Sequence, residues 1–478
     1  MKISDRFYIN GQWQVPSTDD RMEVINPFTQ TSCVSVPRGH QVDVEAAIRA
    51  ARDAWPAWAA TPAKQRHDLL MAAADEMQRR YQDLVEALVI TLGSPIKLTG
   101  GMHVDGPIEG LRYYARRTQM MDEVECKEGG AMIVKEPIGV CALINPWNYP
   151  LHQLVGKLAP ALAAGCTVVV KPAEQTPLQD FIMAEIFHAI GLPAGVFNLV
   201  TGSGREIGPV LAGHPEVDMV SFTGSTAAGI TVAQNAAPTV KRVCQELGGK
   251  SPLIITQDAD LPLAVRYGVE GLMSNTGQTC DALTRMLIPR SRYEEAVTLA
   301  RNIALEQVVG DPRDPATTMG PLVSQRQKEI VLGYIQQGID EGARLVTGGL
   351  EPPVGLASGA FVRPTVFADV TNEMIIAKEE IFGPVLCILA YDDIEDAVRV
   401  ANDTVYGLSS GVHAENAESA TCIARRLKAG QCHVQGGDAS IDTLLSAPFG
   451  GYKQSGNGRE WGEQGMHEYI EVKAIIGG

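Results

Sequence analysis

The sequence predicts an α/β protein built on a doubly wound parallel sheet, and two observations carry that prediction. From Gly139 onward, short apolar runs of strand length alternate with helical stretches: Val140 to Ile144, Thr167 to Lys171, Val196 to Val200, Met219 to Phe222 and Arg242 to Glu246. These runs are too continuously apolar to alternate between core and solvent, so the strands are buried on both faces, as in a parallel sheet covered by helices.

The elements follow in order. Asn10-Gly11 between apolar flanks predicts a hairpin over Phe7 to Trp13. Val42 to Trp58 and Pro62 to Leu92 are alanine-rich with apolar residues three and four apart, which predicts two amphipathic helices. Gly93-Ser94-Pro95 ends the second. Glu125 to Glu136 has Met132-Ile133-Val134 between charges and is expected to be an exposed strand that pairs outside its own domain. Leu151 to Ala164 places Leu151, Val155, Leu158 and Leu162 on one helix face, with Gly165 as its C-cap. A second α/β region is expected after Pro252, with helices at Leu261 to Met273 and Gln325 to Glu341 and a strand at Val385 to Ala390.

Composition limits the function. The 478 residues, 45% hydrophobic and 20% charged, fit a soluble globular chain of about two to four domains. A formal charge of −16 disfavours nucleic acid and anionic membrane as partners, because either calls for a basic footprint. Nine cysteines without a CxxC pair, and a polar start after Met1, lead to the expectation of a reducing, cytoplasmic setting. No run approaches the ~18 apolar residues of a membrane span, and no residue cluster points to a metal site.

Chemistry gathers on Asn275-Thr276-Gly277-Gln278-Thr279-Cys280. A cysteine attacks a carbonyl only as the thiolate, so Cys280 is expected in surroundings that lower its pKa from roughly 8.5. After the first strand, where a GxGxxG turn would bind a dinucleotide, the chain instead reads Asn145-Pro146-Trp147-Asn148, and Gly202-Ser203-Gly204 is only a partial match. Lys171-Pro172-Ala173-Glu174 sets a cation and a carboxylate past a buried strand, where a ribose diol is held. Ser225 in Phe222-Thr223-Gly224-Ser225-Thr226 opens a helix, either as a plain N-cap or as a pyrophosphate site. Glu246 ends the fifth strand beside Gly248-Gly249, as a general base or an exposed carboxylate, and the Asn148 amide is a turn residue or an oxyanion donor. Together, a thiol, an amide donor, a carboxylate base and a dinucleotide site describe oxidation of an aldehyde through a thioester.

These residues also carry a family resemblance. The chain resembles the aldehyde dehydrogenase superfamily, NAD(P)-dependent and of the hydrolytic type, nearly end to end. The matching stretches are Asn26-Pro27, Pro146-Trp147-Asn148, Lys171 to Glu174, Phe222 to Ser225, Glu246 to Lys250, the cysteine stretch, Glu379-Glu380-Ile381-Phe382-Gly383-Pro384, and Pro448-Phe449-Gly450-Gly451-Tyr452-Lys453. The resemblance implies Cys280 as nucleophile, Glu246 as general base, and Asn148 with the Cys280 N–H as oxyanion hole. It implies NAD, with NADP weaker, held by Lys171, Glu174, Gly204, Ser225, Trp147, Glu380 and Phe382, and a proton relay through Lys157 and Glu460. It further implies a Rossmann-like cofactor domain over 1–118 and 138–250, a catalytic domain over 251–455, and a small β oligomerisation arm from 119–137 and 456–478. A homodimer or homotetramer is expected.

Departures from the family pattern bear on the substrate. Gln435 stands where an asparagine is usual, Gly436 to Ala447 differs from the familiar mouth loops, and His433 is expected as strand or loop packing. By resemblance Tyr149 and Phe449 line the tunnel to Cys280, favouring an apolar or aromatic aldehyde. Asp281, with Asp438 and Asp442 in the mouth loop, points the other way, to a cationic amino-aldehyde. Two rivals stand outside aldehyde hydrolysis: acyl transfer to coenzyme A, against which Glu246 counts, and a catalytically idle structural or binding protein.

Overall fold

The computed structural model describes residues 5–436 and 440–477. The five apolar runs form the parallel centre of an eight-stranded sheet, in the spatial order Arg242–Glu246, Met219–Thr223, Val140–Ile144, Thr167–Lys171, Phe197–Leu199. From Val140–Ile144 the chain winds outward in one direction, then crosses back to lay Met219–Thr223 on its other side. A crevice opens at that reversal, beyond the carboxyl ends of the strands. Antiparallel strands close both edges: the hairpin Phe7–Ile9 and Gln12–Gln14 on one, Gly456–Asn457 on the other. The hairpin turns on Asn10 and Gly11, at φ 53 and 73. The helix Pro150–Ala164 is buried along almost its whole length and stops at Gly165, φ 100.

One helix expectation needs correction. Pro62 to Leu92 is two helices, Ala63–Arg79 and Tyr81–Thr91, parted at Arg80. Arg80 pairs with Asp83 and, at 3.0 Å, with Glu185, and the break lets Tyr81–Thr91 pack on Leu178–Ala189. The apolar period runs through the break, so periodicity alone does not reveal it.

A seven-stranded sheet carries the second α/β region. Its order is Arg344–Thr347, Thr365–Ala368, Val385–Tyr391, Arg285–Pro289, Pro252–Ile255, Gly411–His413, His433–Val434. Helices Leu261–Met273 and Gln325–Asp340 contribute to its two apolar cores.

A third sheet of three antiparallel strands joins Glu125–Cys126 and Met132–Pro137 to Ile470–Ile475. Among the described residues of 456–477 only Ile470–Ile475 belongs to it: Gly456–Asn457 pairs with Arg242–Glu246, and Gly462–His467 packs on Pro150–Ala164. Among the described residues no helix is long and apolar enough to cross a membrane.

Candidate active site

Cys280 ends a turn that follows Leu261–Met273. Asn275, Thr276 and Gly277 lie in succession at φ 49, 58 and 71, a left-handed run that is costly for the first two. Side chains hold it in place. Asn275 Nδ2 donates to the Asn148 carbonyl at 3.0 Å and the Gln278 carbonyl at 3.2 Å, and Thr276 Oγ1 donates to the Gly320 carbonyl at 3.0 Å. Gln278 closes the turn, donating to the Asn275 carbonyl at 3.0 Å and accepting from the Val323 N–H at 2.8 Å. A Cβ on Gly277 would overlap the Gly383 carbonyl.

The same turn aligns two donors. Asn148 follows Val140–Ile144, is buried, and spends one amide N–H on the Gln278 carbonyl at 3.1 Å, leaving the other without an acceptor among the described residues. Among the described residues the Cys280 N–H donates to no protein acceptor. Cys280 itself is half-buried and lines two cavities at once.

The first cavity, about 300 Å³, brings together three residues expected at the substrate: Tyr149, Phe449 and Asp281. Tyr149 is fixed by a 2.9 Å hydrogen bond with Thr279 Oγ1 and by stacking on His103, with centroids 4.6 Å apart. Met102, Ile441, Leu444, Leu445 and Trp461 make most of the remaining wall apolar. His433, expected as packing, is in a strand but also faces this cavity, where its imidazole counters the burial that raises the Asp281 pKa. Asp442 is exposed and does not line the cavity, and Asp438 lies outside the described residues. His152 and Trp461 were missed by sequence reasoning. Trp461 directly follows Glu460, but the two residues that make room for its indole, Gly110 and Gly156, lie far off in the chain, so no local pattern marks it.

The second cavity, about 250 Å³, opens at the reversal of strand order and is lined by Trp147, Ser225, Glu380 and Phe382. Phe382 adopts φ 56 and sets its ring edge-on to Trp147, centroids 5.2 Å apart. Glu380 accepts from the Gly249 N–H at 3.0 Å, and burial raises its pKa to about 7. Ser225 caps the helix Thr226–Ala236 through the Ala228 N–H at 3.3 Å. Beyond the neighbouring strand end, Gly204 donates its N–H to Glu174 Oε1 at 2.9 Å, and a Cβ there would lie 3.8 Å from Lys171 Nζ. Lys171 is buried, its pKa pulled down to about 8, and turns its ammonium to the Pro172 carbonyl at 2.7 Å. These residues fit a dinucleotide. A carboxylate for ribose hydroxyls, a helix N-terminus for phosphate and an aromatic wall near the thiol lie around one crevice at the switch point.

Electrostatics overturn one expectation. Burial pushes the Cys280 pKa well up, and Asp281, Glu380, Glu246 and Glu460 push the same way. Glu246 is buried at the end of its strand, lines neither cavity, and among the described residues has no hydrogen-bond partner for either oxygen. Burial and Glu460 raise its pKa well above the usual carboxylate range, against Lys157 and Arg459. Lys157 and Glu460 are no surface pair. They meet at 2.7 Å in the interior, with Lys157 Nζ also donating to Gln153 Oε1 at 3.0 Å. Gln153 lines the first cavity, and Glu460 exchanges two 2.7 Å backbone hydrogen bonds with Phe449.

A doubly wound sheet with a thiol set between its switch-point crevice and an apolar cavity fits an enzyme that works through a cysteine beside a bound nucleotide. The sequence profile of the aldehyde dehydrogenase family matches residues 13–475, and the chain belongs to that family as an NAD-dependent aldehyde dehydrogenase. It is 47% identical over 479 aligned residues to a 3-succinoylsemialdehyde-pyridine dehydrogenase from a Pseudomonas species, covering 100% of this chain and 99% of the relative. A cysteine-to-alanine mutant of aldehyde dehydrogenase C from Pseudomonas syringae, complexed with NAD+ and octanal, matches with TM-score 0.97 and 46% identity, covering 99% of this chain and 98% of that one. Betaine aldehyde dehydrogenase from Staphylococcus aureus, in complex with NAD+, matches with TM-score 0.96 and 35% identity, covering 99% and 94%.

Proposed function

We propose that this enzyme oxidises an apolar or aromatic aldehyde to the carboxylic acid through a thiohemiacetal and a thioester on Cys280. The observation that carries the reading is the position of Cys280, on the wall between an apolar cavity and the switch-point crevice. The Cys280 sulfur adds to the aldehyde carbon, and the negative oxygen that results is met by the second Asn148 amide N–H and the Cys280 N–H. Trp147, Lys171, Glu174, Gly204, Ser225, Glu380 and Phe382 would hold NAD, which would supply the acceptor for the hydride. Glu246 takes a proton from the water that attacks the thioester carbon, and the C–S bond then breaks to release the acid and the Cys280 thiolate. Lys157 and Glu460 pass that proton onward. Glu174 favours NAD over NADP, since a 2′-phosphate would meet its charge while the Lys171 ammonium is turned inward.

Two relatives support an apolar substrate body: one is complexed with octanal, and the other is named for an aldehyde on a pyridine. Asp281 in the cavity wall, with the betaine aldehyde dehydrogenase match, favours the second reading, a cationic amino-aldehyde. Coenzyme A transfer has less support, because it leaves Glu246 without a role.

We further propose that residues 1–118 and 138–250 act as the cofactor domain, 251–455 as the catalytic domain, and the three-stranded sheet as the arm of a cytoplasmic homodimer or homotetramer. The test is NADH release across acetaldehyde, hexanal, octanal, benzaldehyde and 3-aminopropanal, for the wild type and Cys280→Ala. The expected result is kcat/KM rising with apolar bulk, and loss of oxidation by about a thousandfold or more in Cys280→Ala with NAD binding retained. Preference for the amino-aldehyde would select the second reading, and turnover in Cys280→Ala would remove the thiol from the chemistry.

A further inference from the structure

One amide reaches from the Lys157–Glu460 pair to the substrate cavity. Gln153 stands near the start of Pro150–Ala164, is buried, and lines the same cavity as Cys280. Its backbone N–H donates to the Tyr149 carbonyl at 2.8 Å, so it follows Tyr149 by one helical turn.

Two donors fix how the side-chain amide is turned. Oε1 accepts from the Lys157 ammonium at 3.0 Å and from the Thr223 hydroxyl at 3.3 Å. An ammonium has no lone pair, so the end that meets it is the carbonyl and the opposite end is the NH2 group. Glu460 holds Lys157 at 2.7 Å, which anchors the carbonyl end in the interior.

The other end is unspent. Among the described residues Nε2 of Gln153 donates to no acceptor, yet it is not one of the fully enclosed polar atoms that lack a partner, so it keeps open surface. The opening it has is the cavity that also holds Cys280. Its polar neighbours on the wall differ in this respect. The Tyr149 hydroxyl is engaged with Thr279, Gln431 Nε2 donates to the Pro448 carbonyl at 3.1 Å, and His152 Nδ1 is enclosed. His433 sits where its charge counters Asp281, Asp281 offers no donor when ionised, and Ser274 is exposed to solvent.

A donor of this kind selects an acceptor. The lining includes no lysine or arginine and does include Asp281, which disfavours a carboxylate as that acceptor. Met102, Leu445 and Trp461 make the adjoining wall apolar, so the acceptor must sit on an apolar body. A ketone meets both conditions. It is uncharged, accepts through its oxygen, and has no O–H of its own to leave unpaired against an apolar wall.

We propose that Gln153 is a specificity-determining residue whose amide N–H bonds a ketone oxygen on the body of the aldehyde, so that oxo-aldehydes with an apolar or aryl body are preferred over their plain counterparts. This rests on the apolar-cavity reading of the substrate given above. The test is the ratio of kcat/KM within matched pairs, 4-oxopentanal to pentanal, 5-oxohexanal to hexanal and 3-acetylbenzaldehyde to 3-ethylbenzaldehyde, in wild type, Gln153→Met and Gln153→Glu. Ratios within one preparation cancel any loss of folded enzyme and any slowing of the proton relay. Differences in intrinsic reactivity between paired aldehydes are common to all three proteins. For at least one pair the ratio is expected to be about three- to tenfold higher in wild type than in either variant. Met has no N–H, and Glu keeps an oxygen for the Lys157 ammonium while putting a second oxygen where the donor was. If one variant does not fold, the other carries the comparison in the same terms. Ratios that a folded variant leaves unchanged for every pair overturn the proposal, and with plain aldehydes still oxidised they remove this inference alone. Oxidation of 3-aminopropanal with none of these aldehydes turned over removes the apolar reading as well.

Discussion

A thiol whose pKa is raised by burial and by Asp281, Glu380 and Glu246 gives up its proton only where another group takes it or a positive charge arrives beside it. Glu246 is suited to proton transfer, because its raised pKa brings it closer to neutrality than an ordinary carboxylate. Two outcomes follow for Glu246→Gln. The first is kinetic: one equivalent of NADH per site should appear in a burst, with steady-state turnover slower by about 10²- to 10⁴-fold, in a stopped-flow record. A burst and steady state that fall together would place Glu246 before hydride transfer. The second is thermodynamic. A carboxyl with a raised folded pKa binds its proton more tightly folded than unfolded, so stability falls as pH climbs from the ordinary carboxylate range toward the raised value. Glu246→Gln removes that loss. Its melting temperature relative to wild type should therefore rise as pH climbs above the ordinary carboxylate range, and a difference that stays flat would exclude Glu246 as the source.

Among the elements, the turn before Cys280 is held from several sides. Three consecutive left-handed residues are held by five side-chain hydrogen bonds, and the third has the Gly383 carbonyl where a Cβ would be. Gly277→Ala is expected to lower stability by about 1 to 3 kcal/mol in a denaturant titration and to reduce kcat strongly, since the Asn148 amide is aligned through Gln278. Normal kcat would show that the turn can relax without moving the donor. Much of this element is legible in the chain itself: the apolar runs mark the strands, and the polar residues around Gly277 mark the turn. The break at Arg80 is not, because it depends on an ion pair to Glu185, more than a hundred positions away. The field around Cys280 is also hidden. Its carboxylates come from Asp281, Glu380 and Glu246, and no local stretch of sequence shows that they converge.

For the whole molecule, the three-stranded sheet is where assembly is expected. Ile470–Ile475 occupies one edge of it, pairs on one side only, and exposes Val472 and Ile475, with Ile476 just beyond. Val472→Asp with Ile475→Asp should shift the sedimentation coefficient to that of a monomer, and an unchanged coefficient would move the interface elsewhere. The two cavities that meet at Cys280 have a consequence of another kind. One is walled by Ile441, Leu445 and Phe449, the other by Gly248, Glu380 and Phe382, and Cys280 is common to both. A molecule in one need not vacate it for traffic in the other. Acid and reduced cofactor can then depart by separate doors in either sequence, and a single compound bridging both chambers past the sulfur would block the two at once.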